Sequence, residues 1–153
     1  MTNEGLLLSS AGGVVCVDGR AGETIVTCIA PSSAVPGMIM TIAAGVGIIS
    51  DNDAGTGEYW TGIALPRYDL DCDTAYTAAD MMEVVIPKAG HRYVIKVLDP
   101  GAARPAGSGC VVSTTAGCCD ISVVTVESYA MARITNDYVD ALNYLFVEVV
   151  WSA

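Results

Sequence analysis

Positive charge is scarce in this sequence, histidine occurs once, and no run of apolar residues is long. Its 7 lysines and arginines stand against 17 acidic residues, a formal charge of −10. Such a chain repels nucleic-acid phosphates and anionic lipid, which excludes both as direct partners. No stretch approaches the roughly 20 apolar residues of a membrane-spanning helix. The opening residues, MTNEGLLLSSAGG, carry no basic segment, and Leu6, Leu7 and Leu8 form an apolar core far shorter than a secretory signal needs. Synthesis and first folding in a cytoplasm are therefore expected.

The single histidine limits the chemistry. A cysteine hydrolase needs a thiolate made reactive by a base such as histidine. His91 in PKAGHRY sits beside Arg92 on a turn that leads into a strand, and no motif pairs it with a cysteine. It reads as a solvated turn residue.

Metal sites fare little better. Asp51 with Asp53, and Asp69 with Asp71 and Asp73, have the alternate spacing of a calcium loop's ligands. An EF-hand needs Gly at its sixth position and Glu at its twelfth; from Asp51 those places hold Thr56 and Gly62, and from Asp69 they hold Thr74 and Asp80. Solvated loops or strand faces are the better reading. Zinc is disfavoured because Cys118-Cys119 lacks the two-residue gap of a zinc knuckle. The glycines of TIAAGVGII and DAGTGE form no phosphate-binding fingerprint and read as turns. No catalytic residue, cofactor-binding residue or metal ligand is assigned, and no cofactor is expected.

What the chain does have is apolar bulk in short runs. At 153 residues, 52% of them hydrophobic, it is long enough to form one domain that buries about 70% of its unfolded surface. Strand-like runs fall at 14–17, 24–29, 38–42, 60–65, 84–86, 93–98, 109–113, 121–126, 129–134 and 145–151. Between them lie DGRAGE, PSSAVPG, SDNDAGTGE, PKAG, DPGAARPAGSG and TNDY, rich in the residues that reverse a chain. Many short strands at near-regular spacing predict an all-β barrel or sandwich. In the last run Leu145, Val147, Val149 and Trp151 share one face, and in RYVIKVL the residues Tyr93, Ile95 and Val97 do the same. Segments 75–82 and 136–143 compete for helix, each too short to make a helical layer. No internal repeat is evident.

Segment order adds a resemblance. AVPGMIMTIAAG, then TGIALPRYDLDCDTAYTAADMMEVVIPKAGHRYVIKVLDPGAARPAGSGCVVSTTAG, then YAMARITNDYVDALNYLFVEVVW resembles the capsid decoration, or cement, proteins of tailed bacteriophages. The likeness consists of a Pro-Gly opening into an apolar strand, a mid-chain segment resembling Tyr-x-x-x-Asp followed by a strand, a Gly-x-x-Tyr turn into a second strand, and a Gly-rich link before a small-residue strand. It covers residues 34–151. It implies a compact β-barrel or β-tulip-like domain at 14–153 with long loops and an extended N-terminal arm at 1–13. It further implies a homo-oligomer, a trimer before a dimer, on the outer surface of the virion, binding the major capsid protein and bridging its subunits without catalysis. A tail-tip or baseplate β domain and a surface adhesion module are the alternatives.

In that setting the arm residues Thr2, Asn3, Glu4, Leu6, Leu7 and Leu8 are candidate capsid contacts, with an added edge strand as the equally open reading. In a cytoplasm all six cysteines are expected to be reduced. Cys16 in VVCV and Cys28 in VTCI read as core or cross-strand positions. A virion passes from a reducing to an oxidising medium, which lets thiols brought together by assembly cross-link. Cys72, Cys110, Cys118 and Cys119 are the candidates, with Cys72 and Cys110 expected to be exposed. Adjacent residues strain disulfide geometry, so Cys118 and Cys119 are not expected to pair with each other. In a strand they point to opposite faces, one toward the core and the other toward a neighbouring subunit. Two reduced core cysteines remain the open alternative.

Overall fold

The computed structural model describes residues 15–50, 60–66, 75–122, 130–139 and 145–152. Among them every regular element is a strand. In chain order these are β1 (Thr24–Ile29), β2 (Ile39–Ala43), β3 (Val46–Ile49), β4 (Gly62–Ala64), β5 (Met81–Ile86), β6 (Arg92–Lys96), β7 (Gly109–Val112), β8 (Cys119–Ser122), β9 (Ala132–Ile134) and β10 (Phe146–Trp151). The protein is all-β and barrel-like, as the run of short apolar segments predicts.

The first five strands close into a barrel in the order β1-β3-β2-β4-β5. Its pairs are antiparallel except β1 with β3, which meet in parallel where Ile29 faces Val46. Closure is possible because the β2–β3 link is a two-residue hairpin. Ala44 and Gly45 both take positive φ, 51° and 79°, the combination whose twist matches the flanking strands. Gly62 permits the tight β4–β5 approach, since a Cβ there would lie 2.1 Å from the Val85 carbonyl oxygen.

The other five strands form an antiparallel sheet in the order β6-β10-β9-β7-β8. Its two outer strands are brought together by a parallel bridge, Val97 with Cys119, and the Leu98 N–H donates to the Cys119 carbonyl at 2.9 Å. Along β6, the N–H groups of Val94 and Lys96 donate to the carbonyls of Val15 and Gly37, each at 2.9 Å. Edges that would otherwise invite strand addition are thereby occupied.

The pleat divides the core. Inside the barrel Cys28, Met40, Ala64, Met82 and Val84 pack together with Ala30, Ala34 and Tyr76. Residues of opposite pleat on the same strands, Ile39, Ile63 and Val85, join Tyr93, Ile95, Val149 and Trp151 in a second cluster that spans barrel and sheet. Those three barrel side chains are wholly buried, each worth about 1.5–3 kcal/mol of apolar burial. At the centre of the second cluster Trp151 stands edge-on to Trp60, ring centroids 4.9 Å apart, and to Tyr93 at 6.0 Å.

The structure corrects the sequence in four places. β3 lies within TIAAGVGII, whose glycines read as turns; Gly45 is in the turn, but Gly47 is in the strand, where a Cβ would sit 3.2 Å from the Cys28 sulfur. Segment 75–82 is not helical: Ala79 takes φ 72°, and Met81 and Met82 already pair with Ile29 and Cys28. The described part of 136–143 is also non-helical, with Tyr138 bridged to Arg104. Of the run at 14–17, the described residues 15–17 contribute a single bridge, Cys16 with Tyr93, not a strand. The arm at 1–13 lies outside the described residues.

Candidate interaction surface

Cys16, Cys28, Cys110, Cys118 and Cys119 are all free thiols and all buried. Cys110 is not the exposed thiol its place after PAGSG suggested: it points inward from β7 with no exposed surface. Nor do Cys118 and Cys119 divide between core and solvent. Cys119 is fully buried in β8, and Cys118, in the turn just before it, is only 4% exposed. Alternation along a strand does not expose Cys118, since it precedes the strand and its turn folds back over the barrel: the N–H of Ile39 donates to the Gly117 carbonyl at 3.1 Å. A bridge from these three to a neighbouring subunit would require the fold to open. Cys72 lies outside the described residues.

Burial also disarms these thiols. It pushes Cys110 up to about 12 and Cys119 well above the ordinary thiol value. Cys16 is raised to about 11, by burial first and then by the negative charge of Glu23. All stay protonated, and so poorly nucleophilic, near neutral pH.

His91 is more engaged than a solvated turn residue. Its Nδ1 lies 2.5 Å from Glu23 Oε1, and the Glu23 side chain is only 2% exposed. The Tyr93 hydroxyl donates to Glu23 Oε2 at 2.7 Å and accepts from the Lys88 N–H at 3.0 Å. The Lys88 ammonium donates to the Gly22 carbonyl. Burial, followed by the hydrogen bond to Glu23, raises the Tyr93 hydroxyl well above its usual range. This constellation joins the residue before β1 to β6 and its lead-in turn. It satisfies a buried carboxylate.

Among the described residues no group of three or more His, Cys, Asp or Glu side chains is placed to hold a metal. The calcium-like aspartates Asp51, Asp53, Asp69, Asp71 and Asp73, and the arm residues Thr2, Asn3, Glu4, Leu6, Leu7 and Leu8, fall outside the described residues.

The feature that sequence reasoning missed is a row of exposed apolar side chains outside the barrel. Cys28 and Met82 point inward, so their neighbours Ile29 and Met81 point outward, and Gly47 between Val46 and Ile48 turns those two outward as well. Register aligns them. Met81 faces Ile29 across β5 and β1, and Ile29 faces Val46 across β1 and β3. Exposure is 58% for Met81, 42% for Ile29, 40% for Val46 and 49% for Ile48. The sequence held only an ambiguous signal: VGII and TCIA have apolar residues on both pleats, as does β4, which is buried on both. Leu98, Val139 and Leu145 are also exposed, but they do not form a register-aligned row.

Two solved structures with this fold come from phage heads. The head fibre gp8.5 N base of bacteriophage phi29 is matched with a TM-score of 0.51 at 12% identity, over 85% of this chain and 94% of that one. A chain from the capsid of Myoviridae phage XM1 is matched with a TM-score of 0.57 at 15% identity, over 92% of this chain and 88% of that one. No protein-family model matches, and no curated protein does. At these identities the likeness establishes the fold.

Proposed function

We propose that this chain is a structural protein of a phage head, bound to the outer surface of the capsid, where it bridges neighbouring major capsid subunits. The observation that carries the reading is the extent of the fold match: nearly the whole chain, barrel and second sheet together, follows structures named as a head fibre base and a phage capsid. The sequence arrives at the same place independently, through the order of its turn and strand segments. Its role is adhesion, not catalysis. The five described thiols are protonated and enclosed, and the one histidine is held by a buried carboxylate.

Adhesion of this kind works by number. A homo-oligomer, most simply a trimer, engages several shell subunits at once, and after the first contact the rest form at high effective concentration. A formal charge of −10 keeps the free protein soluble in excess and away from the packaged genome. The test uses heads of the phage that encodes this chain, assembled without it. Purified protein should bind them saturably and raise their resistance to heat and osmotic shock. Heads that neither bind it nor gain stability would refute the reading.

A further inference from the structure

The apolar row on the barrel needs a partner. Met81, Ile29, Val46 and Ile48 stand together on one outer face, and exposed Ala43, opposite Val46 on β2, extends it without adding charge. A contiguous apolar surface on a soluble protein marks an interaction site. Charge decides what sits there. Glu83, two residues along β5 on the same pleat as Met81, is neutralised by Arg20 at 2.8 Å, so the row itself is uncharged. The molecule around it is not. The chain carries −10 overall. A second copy would bring an equal negative charge to the approach. A shell surface with an apolar centre and a lysine or arginine rim would be drawn in by the same field.

We infer that the outward face of β1, β3 and β5, centred on Ile29, Val46, Ile48 and Met81, is the surface by which the barrel docks on the capsid, against an apolar patch rimmed by basic side chains. This rests on the function proposed above and names its contact. Burial of the row supplies the affinity, while the chain's net negative charge speeds the encounter and orients it. Attachment therefore weakens as salt rises, because screening removes the steering and the rim pairs.

Binding to heads assembled without the protein tests this, with wild type, Ile48→Glu, Met81→Glu and Leu98→Glu compared at low and physiological salt. Leu98 is 40% exposed and lies beyond the barrel, just past β6. Thermal unfolding of each variant, with Met81→Gln as a milder second substitution, separates lost docking from lost fold. The two barrel variants should bind roughly tenfold or more weakly, Leu98→Glu should bind like wild type, and salt should weaken all of them. The inference is overturned if wild type binds heads and both barrel variants bind equally well, or if added salt leaves wild-type binding unchanged. It is also overturned if Ile48→Glu splits an oligomer into smaller species that still bind, which would make the row a contact between copies. Wild type that fails to bind refutes the proposed function itself, and that result is read without any variant.

Discussion

Cys110 and Cys119 face the same side of the β7–β8 pair, because Cys110 lies opposite Ile121 and Val112 lies opposite Cys119. Neither has exposed surface, so ionising either would strand a charge out of reach of water. The consequence is a dependence of stability on alkaline pH. In the unfolded chain these thiols titrate near 9.0, whereas in the folded protein Cys16 titrates at about 11 and Cys110 at about 12. Above pH 9.0 the unfolded state has released protons that the native state still holds, so stability is complete below that pH and is lost as pH rises toward about 12. The urea midpoint should stay level up to about pH 8.5 and then fall steadily. Cys110→Ala should start lower, through its small cavity, and fall less steeply. A wild-type midpoint that does not change up to pH 11 would contradict this account of the thiols.

At the scale of elements, the Glu23, His91 and Tyr93 constellation fastens the start of β1 to β6, across separations in sequence of 68 and 70 residues. Removing the carboxylate leaves the largely buried Tyr93 hydroxyl without its acceptor, a loss of about 1–3 kcal/mol. Glu23→Ala should lower the unfolding free energy by that amount. In a double-mutant cycle, Glu23→Gln and Tyr93→Phe should couple by about 0.5 kcal/mol or more. Strict additivity would mean that the two side chains do not act together. Nothing in the sequence reveals this pairing, since His91 on its turn looks solvated until β1 is folded back beside it. The strands themselves are more legible: an apolar, β-branched run locates β1 at its observed bounds, and alternation locates β6 and β10 within a residue or two. β3 escapes because Ala44, Gly45 and Gly47 give its surroundings a turn composition, although only the first two are in the turn. The docking row escapes for a different reason. Its members come from three strands, and only the parallel pairing of Ile29 with Val46 brings them together.

For the whole molecule, the question is whether the segment before Val15 belongs to the folded body or to its attachment. Each barrel strand has two strand neighbours supplied from within residues 24–86. In the second sheet, β8 is met by Val97 and Leu98, and the outer edge of β6 is met by Val15, Cys16 and Gly37. The residues that meet those two edges all lie between Val15 and Leu98. Thr2 to Leu8, polar except for its leucines, lacks the alternation of a core strand, a composition suited to ordering against another surface. Deleting residues 2–12 should leave a protein with an unchanged β-rich circular dichroism spectrum and a melting temperature within a few degrees of wild type. Attachment to heads should weaken, because the arm and the barrel face are separate contacts of one multivalent body, each raising the effective concentration of the other. The deletion combined with Ile48→Glu should then bind more weakly than either change alone. If the shortened chain cannot fold, the arm is a core strand and the attachment role passes to the barrel face alone.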